Sequence, residues 1–475
     1  PTLDCSACIL TPKMNEIKDN PNITLLTNSE VIDVKGYVGN FKVKIWRKPR
    51  YVREDVCNSC FDCIENCLFE KPEFPSEFDE GIGKRKPIYI PFPQAVPPVP
   101  IIDSNTCMWL NGKKCSRYCM EVCEPKAINF DDKGEEIEVD VGAIIVAIGY
   151  DLFDARKIER YGYKKFSNVF TAIEVERMLN SSGPTGGEVI VNGKRPERVA
   201  IVHCVGSRDE GNRVYCSRVC CMYSIKLARL IRERTNAEVY NFYIDVRAFG
   251  KGYEEFYKKA LEEGVIFIRG KVAEITDHPI NDYEKGEVEK GRVIVVAEST
   301  LSNSIVRLPV DMVILSVGME PPKDLEKIKR LLKLSTTPDG FLAERHPKLD
   351  PVSTTTEGIF IAGCVQGPKD IPDSVAQAKA SAGDALTLIE RGEIELEPSV
   401  SEVDKEKCSG CGICVPLCPY HAISMVRYNG RMRAEINPAM CMGCGVCASS
   451  CPSRAIKHNL YTTEQIRAEI RALLA

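Results

Sequence analysis

No apolar run in this 475-residue sequence approaches the ~18–20 residues of a membrane-spanning helix. There is no basic tail or stripe, and the net charge is −4, so the electrostatic footprint of a nucleic-acid binder is missing. The opening residues, Pro1-Thr2-Leu3-Asp4-Cys5, are neither a signal peptide nor a transit peptide. No initiator Met precedes them, and the expectation is a natural start further upstream. Also lacking is a G-x-G-x-x-G turn after an N-terminal strand, the device that brings backbone close to a dinucleotide pyrophosphate. What the chain has in excess is cysteine, 23 residues, alongside 44% apolar residues, ample for a buried core.

A disulfide scaffold with that much cysteine would be short and secreted, and this chain is long. The cysteines are also bunched: Cys57/Cys60/Cys63/Cys67, Cys216/Cys220/Cys221, Cys408/Cys411/Cys414/Cys418 and Cys441/Cys444/Cys447/Cys451. Residues so close in sequence are poor disulfide partners and good ligands of one compact metal centre. The reading is a reducing, cytoplasmic compartment and thiolate-bound iron.

The length suggests roughly three domains at ~100–200 residues each. Residues 1–52 read as part of a domain, with short strands at Ile23–Leu26, Val31–Val34 and Phe41–Ile45. Residues 53–135 read as an insertion: eight cysteines, low strand propensity and a Pro-rich strap, Pro87–Pro100, taken as a stiff connector. Residues 136–197 resume the interrupted domain with a fully buried strand, Ala143–Gly149. Residues 198–317 form a βαβ arrangement: strand Val199–Val202, helix Cys220–Arg234, strand Val239–Ile244, and a second buried strand at Asp311–Gly318. Residues 318–397 return to the first domain through strand Gly358–Gly363 and a helix from Pro372 to Glu390. Residues 398–460 are a cysteine module. Residues 461–475 close the chain as an amphipathic helix, with Thr462 and Gln465 as its capping box. Its apolar stripe, Ile466, Ile470, Leu473 and Leu474, suits a partner or the chain's own surface.

Cys408-x2-Cys411-x2-Cys414-x3-Cys418-Pro419 and Cys441-x2-Cys444-x2-Cys447-x3-Cys451-Pro452 are two copies of the bacterial ferredoxin run. In that run the fourth cysteine crosses to the other 4Fe–4S cluster. Cys408, Cys411, Cys414 and Cys451 are therefore assigned to one cluster, and Cys441, Cys444, Cys447 and Cys418 to the other. Cys57, Cys60, Cys63 and Cys67 repeat the spacing without the proline. Their partner run, Cys107, Cys115, Cys119 and Cys123, is irregular. Crossing again gives Cys57/Cys60/Cys63/Cys123 and Cys107/Cys115/Cys119/Cys67. Structural zinc is the competing reading, stronger for the last set.

Three strands end in glycine, at Gly149, Gly318 and Gly363. They resemble segments of flavoproteins with two dinucleotide-binding domains, a thioredoxin-reductase-like α/β fold. There, the segment ending at Gly363 contacts the flavin ribityl chain, and an Asp usually follows; here Cys364 does. The helix entered through Asp373, Ser374, Val375 and Gln377 would aim its N-terminal amides at the flavin N1/O2 edge. In the second dinucleotide domain, His203-Cys204-Val-Gly-Ser-Arg208 replaces the glycine-rich turn for NAD(P)H. A cluster held by Cys204, Cys216, Cys220 and Cys221 is expected there instead. Buried thiols are the alternative. His203 reads as a packed core residue.

With these residues assembled, the chain resembles the A subunits of heterodisulfide reductases. The resemblance rests on the Pro1-Thr-Leu-Asp-Cys5-Ser-Ala-Cys8 start, the inserted ferredoxin, the His203–Arg208 turn, Tyr215-Cys216-Ser-Arg-Val-Cys220-Cys221, and the paired C-terminal runs. It implies an FAD and multiple 4Fe–4S clusters: four in the two ferredoxin domains, one at Cys204, and one more if a cysteine or selenocysteine before Pro1 joins Cys5 and Cys8. It implies flavin-based electron bifurcation. Electrons come from a hydrogenase or formate dehydrogenase through a small iron–sulfur subunit. They divide between an external ferredoxin and the coenzyme M–coenzyme B disulfide, which is reduced on partner subunits B and C. A dimeric larger complex follows by the same resemblance. A non-bifurcating relative, a polyferredoxin-like wire and an NAD(P)H-dependent reductase stay open as alternatives.

Overall fold

The computed structural model describes residues 2–3, 6–393, 395 and 398–474, with backbone alone at residues 6–8. The chain gathers into two compact units. One holds residues 1–30, 46–136 and 152–320; the other holds residues 31–45, 137–151 and 321–475. Among the described residues, no helix is long and apolar enough to cross a membrane.

The first unit is built on a five-stranded parallel sheet. Its order is Val169–Thr171, Met312–Val317, Arg198–Val205, Glu238–Tyr243, Ile266–Arg269. The two central strands read as unbroken apolar runs because both faces are covered. Val199, Ala200, Ile201, Met312, Val313, Ile314 and Leu315 are all fully buried. One face packs helices Ala172–Leu179 and Cys220–Thr235. The other packs an antiparallel sheet of Val272–Thr276, Val293–Ser299 and Ser304–Val310. Residues 152–197 were expected to continue the FAD-binding domain. They belong to this sheet instead, because Val169–Thr171 pairs with Val313–Leu315 and the helix behind it fills the same core. That helix opens with a capping box from Thr171 and Glu174.

The inserted cysteine block forms a satellite core in this unit, with Val52, Ile88, Val99, Ile102, Ala127 and Ile128 around Cys63, Cys107 and Cys123. A helix at Ser6–Asp19 was not expected. The strand expected at Ile23–Leu26 is irregular instead. It has no ladder partner, and Ile23 and Leu25 stay exposed.

The second unit carries a three-stranded sheet, Ser29–Tyr37, Asn40–Arg47 and Glu135–Val141, and a parallel pair, Ile144–Val146 with Ile359–Ile361. Ile144–Val146 is shorter and less buried than the sequence suggested, with Ile145 42% exposed. A pair of strands has one ladder and leaves the far side of each strand bare. Helix Ile371–Arg391 follows, N-capped by Asp370, and only Ser381 and Ala385 along it are buried. The C-terminal module has its own core around Ala422, Ile423, Ala434, Ala455 and Ile456. The closing helix runs Thr463–Leu474. Its capping box forms as expected, with the Gln465 amide donating to Thr462 Oγ1 at 3.3 Å. Its apolar stripe stays exposed rather than packing on the chain.

Candidate metal centres

None of the described cysteines is in a disulfide. Among the described residues, no three His, Cys, Asp or Glu side chains close into a cage for a single ion. A cubane binds each thiolate to a different iron, so its ligands stand further apart than those of one zinc.

In the C-terminal module the two runs are near-copies. Short helices Cys414–Leu417 and Val446–Ser449 each follow a left-handed glycine, Gly412 at φ 75° and Gly445 at φ 74°. A Cβ on Gly410 would lie 2.4 Å from the Met432 carbonyl oxygen, so the first loop demands glycine there. Backbone amides aim at sulfur: Ala422 at Cys418 Sγ, 3.3 Å; Ala455 at Cys451 Sγ, 3.3 Å; Ala434 at Cys408 Sγ and Ser401 at Cys441 Sγ, both 3.5 Å. Burial pushes the Cys447 thiol up, and Cys441, Cys418 and Cys444 add to the shift. Cys418 is thus brought to the other run's thiols. Burial likewise raises Cys414, next to Cys408 and Cys411. Cys451 differs. Burial pushes it up, but hydrogen bonds from the Ser453 hydroxyl and nearby amides outweigh that and hold it below the ordinary thiol value.

The inserted block repeats this backbone with different residues. Ser59 (φ 60°) and Phe61 (φ 68°) hold the left-handed positions that Gly410 and Gly412 occupy in the C-terminal run. Lys126, His421 and Arg454 each stand three residues after the last cysteine of a run, with φ of 52°, 51° and 49°. The next residue in each case is an alanine whose amide donates to that cysteine; Ala127 reaches Cys123 Sγ at 3.2 Å. Burial drives Cys63 up to about 12, reinforced by Cys123, Cys57, Cys119 and Cys60. It drives Cys119 up to about 12, reinforced by Cys67, Cys115 and Cys107. The irregular run therefore gathers with Cys67, and Cys123 gathers with the regular run. A thiol must ionise to bind iron, and burial opposes this at Cys63, Cys107 and Cys119 until a metal's charge compensates.

The third group forms at the end of strand Arg198–Val205. A register shift between Val202 and Val205 turns Cys204 into the left-handed region at φ 58°. Cys220 and Cys221 open helix Cys220–Thr235, and burial pushes both thiols up, Cys220 to about 12. Cys204, Cys220 and Cys221 are buried, and Cys216 half-buried, with the Arg218 amide on its sulfur at 3.3 Å. Burial pushes Cys204 to about 11, with Cys221 and Cys216 beside it and Arg208 opposing the shift. His203 is 6% exposed, bonds Asn241 at 2.9 Å, and is held near 4 by burial, hence neutral. It is the packed core residue the sequence suggested.

Gly318, expected at a flavin, packs closely on the Cys216 loop. A Cβ there would meet Ser217 Oγ at 2.9 Å and Ser207 Cβ at 3.0 Å, so the bare backbone lets the Cys216 loop close. Ser217 Oγ in turn accepts the Met319 amide at 2.9 Å. Gly149 and Gly363 behave otherwise. Both have positive φ and open space where a Cβ would stand. Gly363 donates its amide to Gln377 Oε1 at 2.8 Å, and its carbonyl accepts from buried Lys369 at 2.9 Å. Cys364 bonds its own loop at the Lys369 carbonyl. Asp373 uses its amide on the Asp370 cap, and Ser374 and Val375 lie on the same first turn. Gly363, open where a Cβ would stand and tied through Gln377 to the first turns of helix Ile371–Arg391, fits the edge of a flat ring system. Cys5, and the side chain of Cys8, lie outside the described residues. Arg208, Arg247 and Asp245 around the third group were not singled out from sequence; only the position of Arg208 within the Cys204 turn could have pointed to any of them.

These groups define an oxidoreductase component built for iron–sulfur electron transfer. Residues 407–455 match the 4Fe-4S dicluster domain family. The whole chain is 50% identical over 479 residues to the A subunit of the H(2):CoB-CoM heterodisulfide,ferredoxin reductase of Methanothermobacter thermautotrophicus, spanning 69% of that relative. It is 47% identical to the iron–sulfur A subunit of the CoB--CoM heterodisulfide reductase of Methanocaldococcus jannaschii, spanning 70% of it. The A subunit of the Ferredoxin/F(420)H(2)-dependent CoB-CoM heterodisulfide reductase of Methanosarcina acetivorans is 45% identical over 90% of this chain and 52% of its own length. Thioredoxin reductase from T. acidophilum overlaps 65% of this chain and 85% of its own, at 13% identity and a TM-score of 0.34, too weak a likeness to bear on function. The chain belongs to the family of heterodisulfide reductase A subunits.

Proposed function

We propose that the chain is the FAD- and iron–sulfur-bearing subunit of a bifurcating heterodisulfide reductase. The observation that carries this is the gathering of twenty cysteines into three separate regions of one chain, four residues at the Cys204 group and eight in each ferredoxin-like block. A stand-alone carrier needs one such region; a branched circuit needs three. FAD, when bound, supplies a centre that takes electrons in pairs and passes them on singly. Gly149, Gly363, Gln377 and the first turn of helix Ile371–Arg391 are the residues that would hold it. The C-terminal module receives electrons from a hydrogenase or formate dehydrogenase through a small iron–sulfur partner. The inserted module delivers to an external ferredoxin. The Cys204 group delivers toward partner subunits B and C, where the disulfide is reduced. Four electrons from two donor molecules balance the exchange: two convert the disulfide to two thiols with two protons, and two reduce ferredoxin.

The M. acetivorans relative's name favours a second reading, in which ferredoxin is a donor. The assembled full-length complex separates the two. Ferredoxin reduction that proceeds only while the disulfide is present supports bifurcation; ferredoxin oxidation coupled to disulfide reduction supports the other. Cys411→Ser tests the input role. Flavin reduction by the upstream donor is expected to slow at least ~10-fold, and an unchanged rate would remove the C-terminal module from the input branch.

A further inference from the structure

The loop after Cys204 is pinned from several sides. Arg208 donates its amide to the Tyr215 carbonyl at 3.0 Å, and Asp209 donates to the Arg213 carbonyl at 3.0 Å. These bonds hold the Cys204 and Cys216 ends of the loop together. Arg208 itself sits at φ 52°, a left-handed conformation. Its Nη2 donates to Asp245 Oδ2 at 2.7 Å. Asp245 is also the residue whose carbonyl accepts from Cys221 Sγ at 3.6 Å. One residue thus fixes Arg208 and borders the thiol group. The guanidinium also hydrogen-bonds Cys204, and its Nη1 is buried with no acceptor among the described residues. A buried cationic donor left without an acceptor is costly, and it marks a place where negative charge is expected.

We propose that Arg208, held by Asp245, is the fixed positive charge that raises the reduction potential of the centre bound by Cys204, Cys216, Cys220 and Cys221. The proposal rests on the reading of those four cysteines as one iron–sulfur site. A guanidinium is ionised at any working pH, and its charge stabilises the more negative, reduced form of a neighbouring cluster. The thiols register the same field: Arg208 opposes the upward shift at Cys204, and Arg208 and Arg247 oppose it at Cys221. Arg208 and Arg247 both act on Cys221, and Asp245 pairs with Arg208 and, at 3.5 Å, with Arg269.

The test is an EPR-monitored redox titration of the assembled full-length protein, with iron and sulfide counted. In Arg208→Gln the reduced-to-oxidised ratio of this centre at a fixed poise is expected to fall about tenfold, which is about 59 mV for a one-electron couple. The ferredoxin-module signals should stay put, and Arg208→Lys should recover most of the loss. An unmoved ratio with the cluster present overturns the proposal. Asp245→Asn keeps an oxygen for Arg208 and deletes the opposing anion, so the ratio should rise; a fall or no change overturns it as well, and this holds even if Arg208→Gln fails to assemble. Cys220→Ser addresses the underlying reading separately. Full retention of iron, sulfide and every EPR signal would sink the site itself rather than the role of Arg208.

Discussion

Cys204 is where a single residue changes what a strand end can do. A βαβ unit ordinarily finishes its first strand in glycines that let phosphate approach. Here the strand carries a thiol out of register, and the glycine that follows, Gly206, is committed to packing. It has φ 76°, and a Cβ on it would stand 2.2 Å from the Phe153 ring, which is itself 3% exposed. Gly206→Ala adds left-handed strain of roughly 1–2 kcal/mol to that collision. The expected outcome is a loss of at least about 2 kcal/mol in chemical denaturation, with iron lost first from the Cys204 group. Wild-type stability and iron content would show that the loop shifts at no cost. Gly206 lies inside a motif the sequence displayed, so the position was legible, but its reason was not. The same holds for Phe61 and Ser59. Their left-handed backbone is set by a cysteine loop that glycine serves elsewhere in the chain, and side-chain identity hid the equivalence. Gly318 was legible as a strand-ending glycine, but its close approach to Ser217 and Ser207 was not, because spacing cannot tell which neighbour an absent Cβ makes room for.

At the scale of elements, the repeated unit is a cysteine loop followed by a left-handed residue and an alanine amide on sulfur. It appears after Cys123, Cys418 and Cys451, with amide–sulfur distances of 3.2, 3.3 and 3.3 Å. It has no counterpart after Cys67, whose run also lacks the proline. Cys67 gathers with Cys107, Cys115 and Cys119 without such a turn, so the turn is not what brings a fourth cysteine to the other run. In the C-terminal module the contact of helices Cys414–Leu417 and Val446–Ser449 accompanies the approach of Cys418 to Cys447. Cys418→Ser should consequently abolish the centre made with Cys441, Cys444 and Cys447 and spare the one made with Cys408, Cys411 and Cys414. EPR of the variant, with roughly half of the module's iron remaining, checks this. Loss of the centre built on Cys408 alone would reverse the assignment. Runs of regular spacing made this module legible as a dicluster domain. The strands Ala143–Gly149 and Ile23–Leu26 were less so, because apolar composition marks a strand only when a neighbour completes its ladder.

At the scale of the molecule, the chain order hides the units. Residues 46–136 and 152–320 fold together around the parallel sheet, while residues 31–45, 137–151 and 321–475 form the second unit. An alternation of β and α segments predicted the sheet, yet no local signal says that residues 152–197 join it rather than the strands before them; only the pairing of Val169–Thr171 with Val313–Leu315 decides. The functional consequence is that the inserted block and the Cys204 group share one unit, and the C-terminal module belongs to the other. If the inserted block is an exit and the C-terminal module an entrance, removing one must leave the other working. Cys63 tests this well, since it is buried among Cys57, Cys60 and Cys123 and has no role in the parallel sheet. In the assembled full-length complex, Cys63→Ser is expected to cut ferredoxin reduction at least ~10-fold while flavin reduction by the upstream donor keeps its rate. The opposite pattern, donor-driven flavin reduction lost and ferredoxin exchange with the flavin retained, would exchange the two ports. Loss of both would mean that the blocks lie in series, a wire rather than a branch.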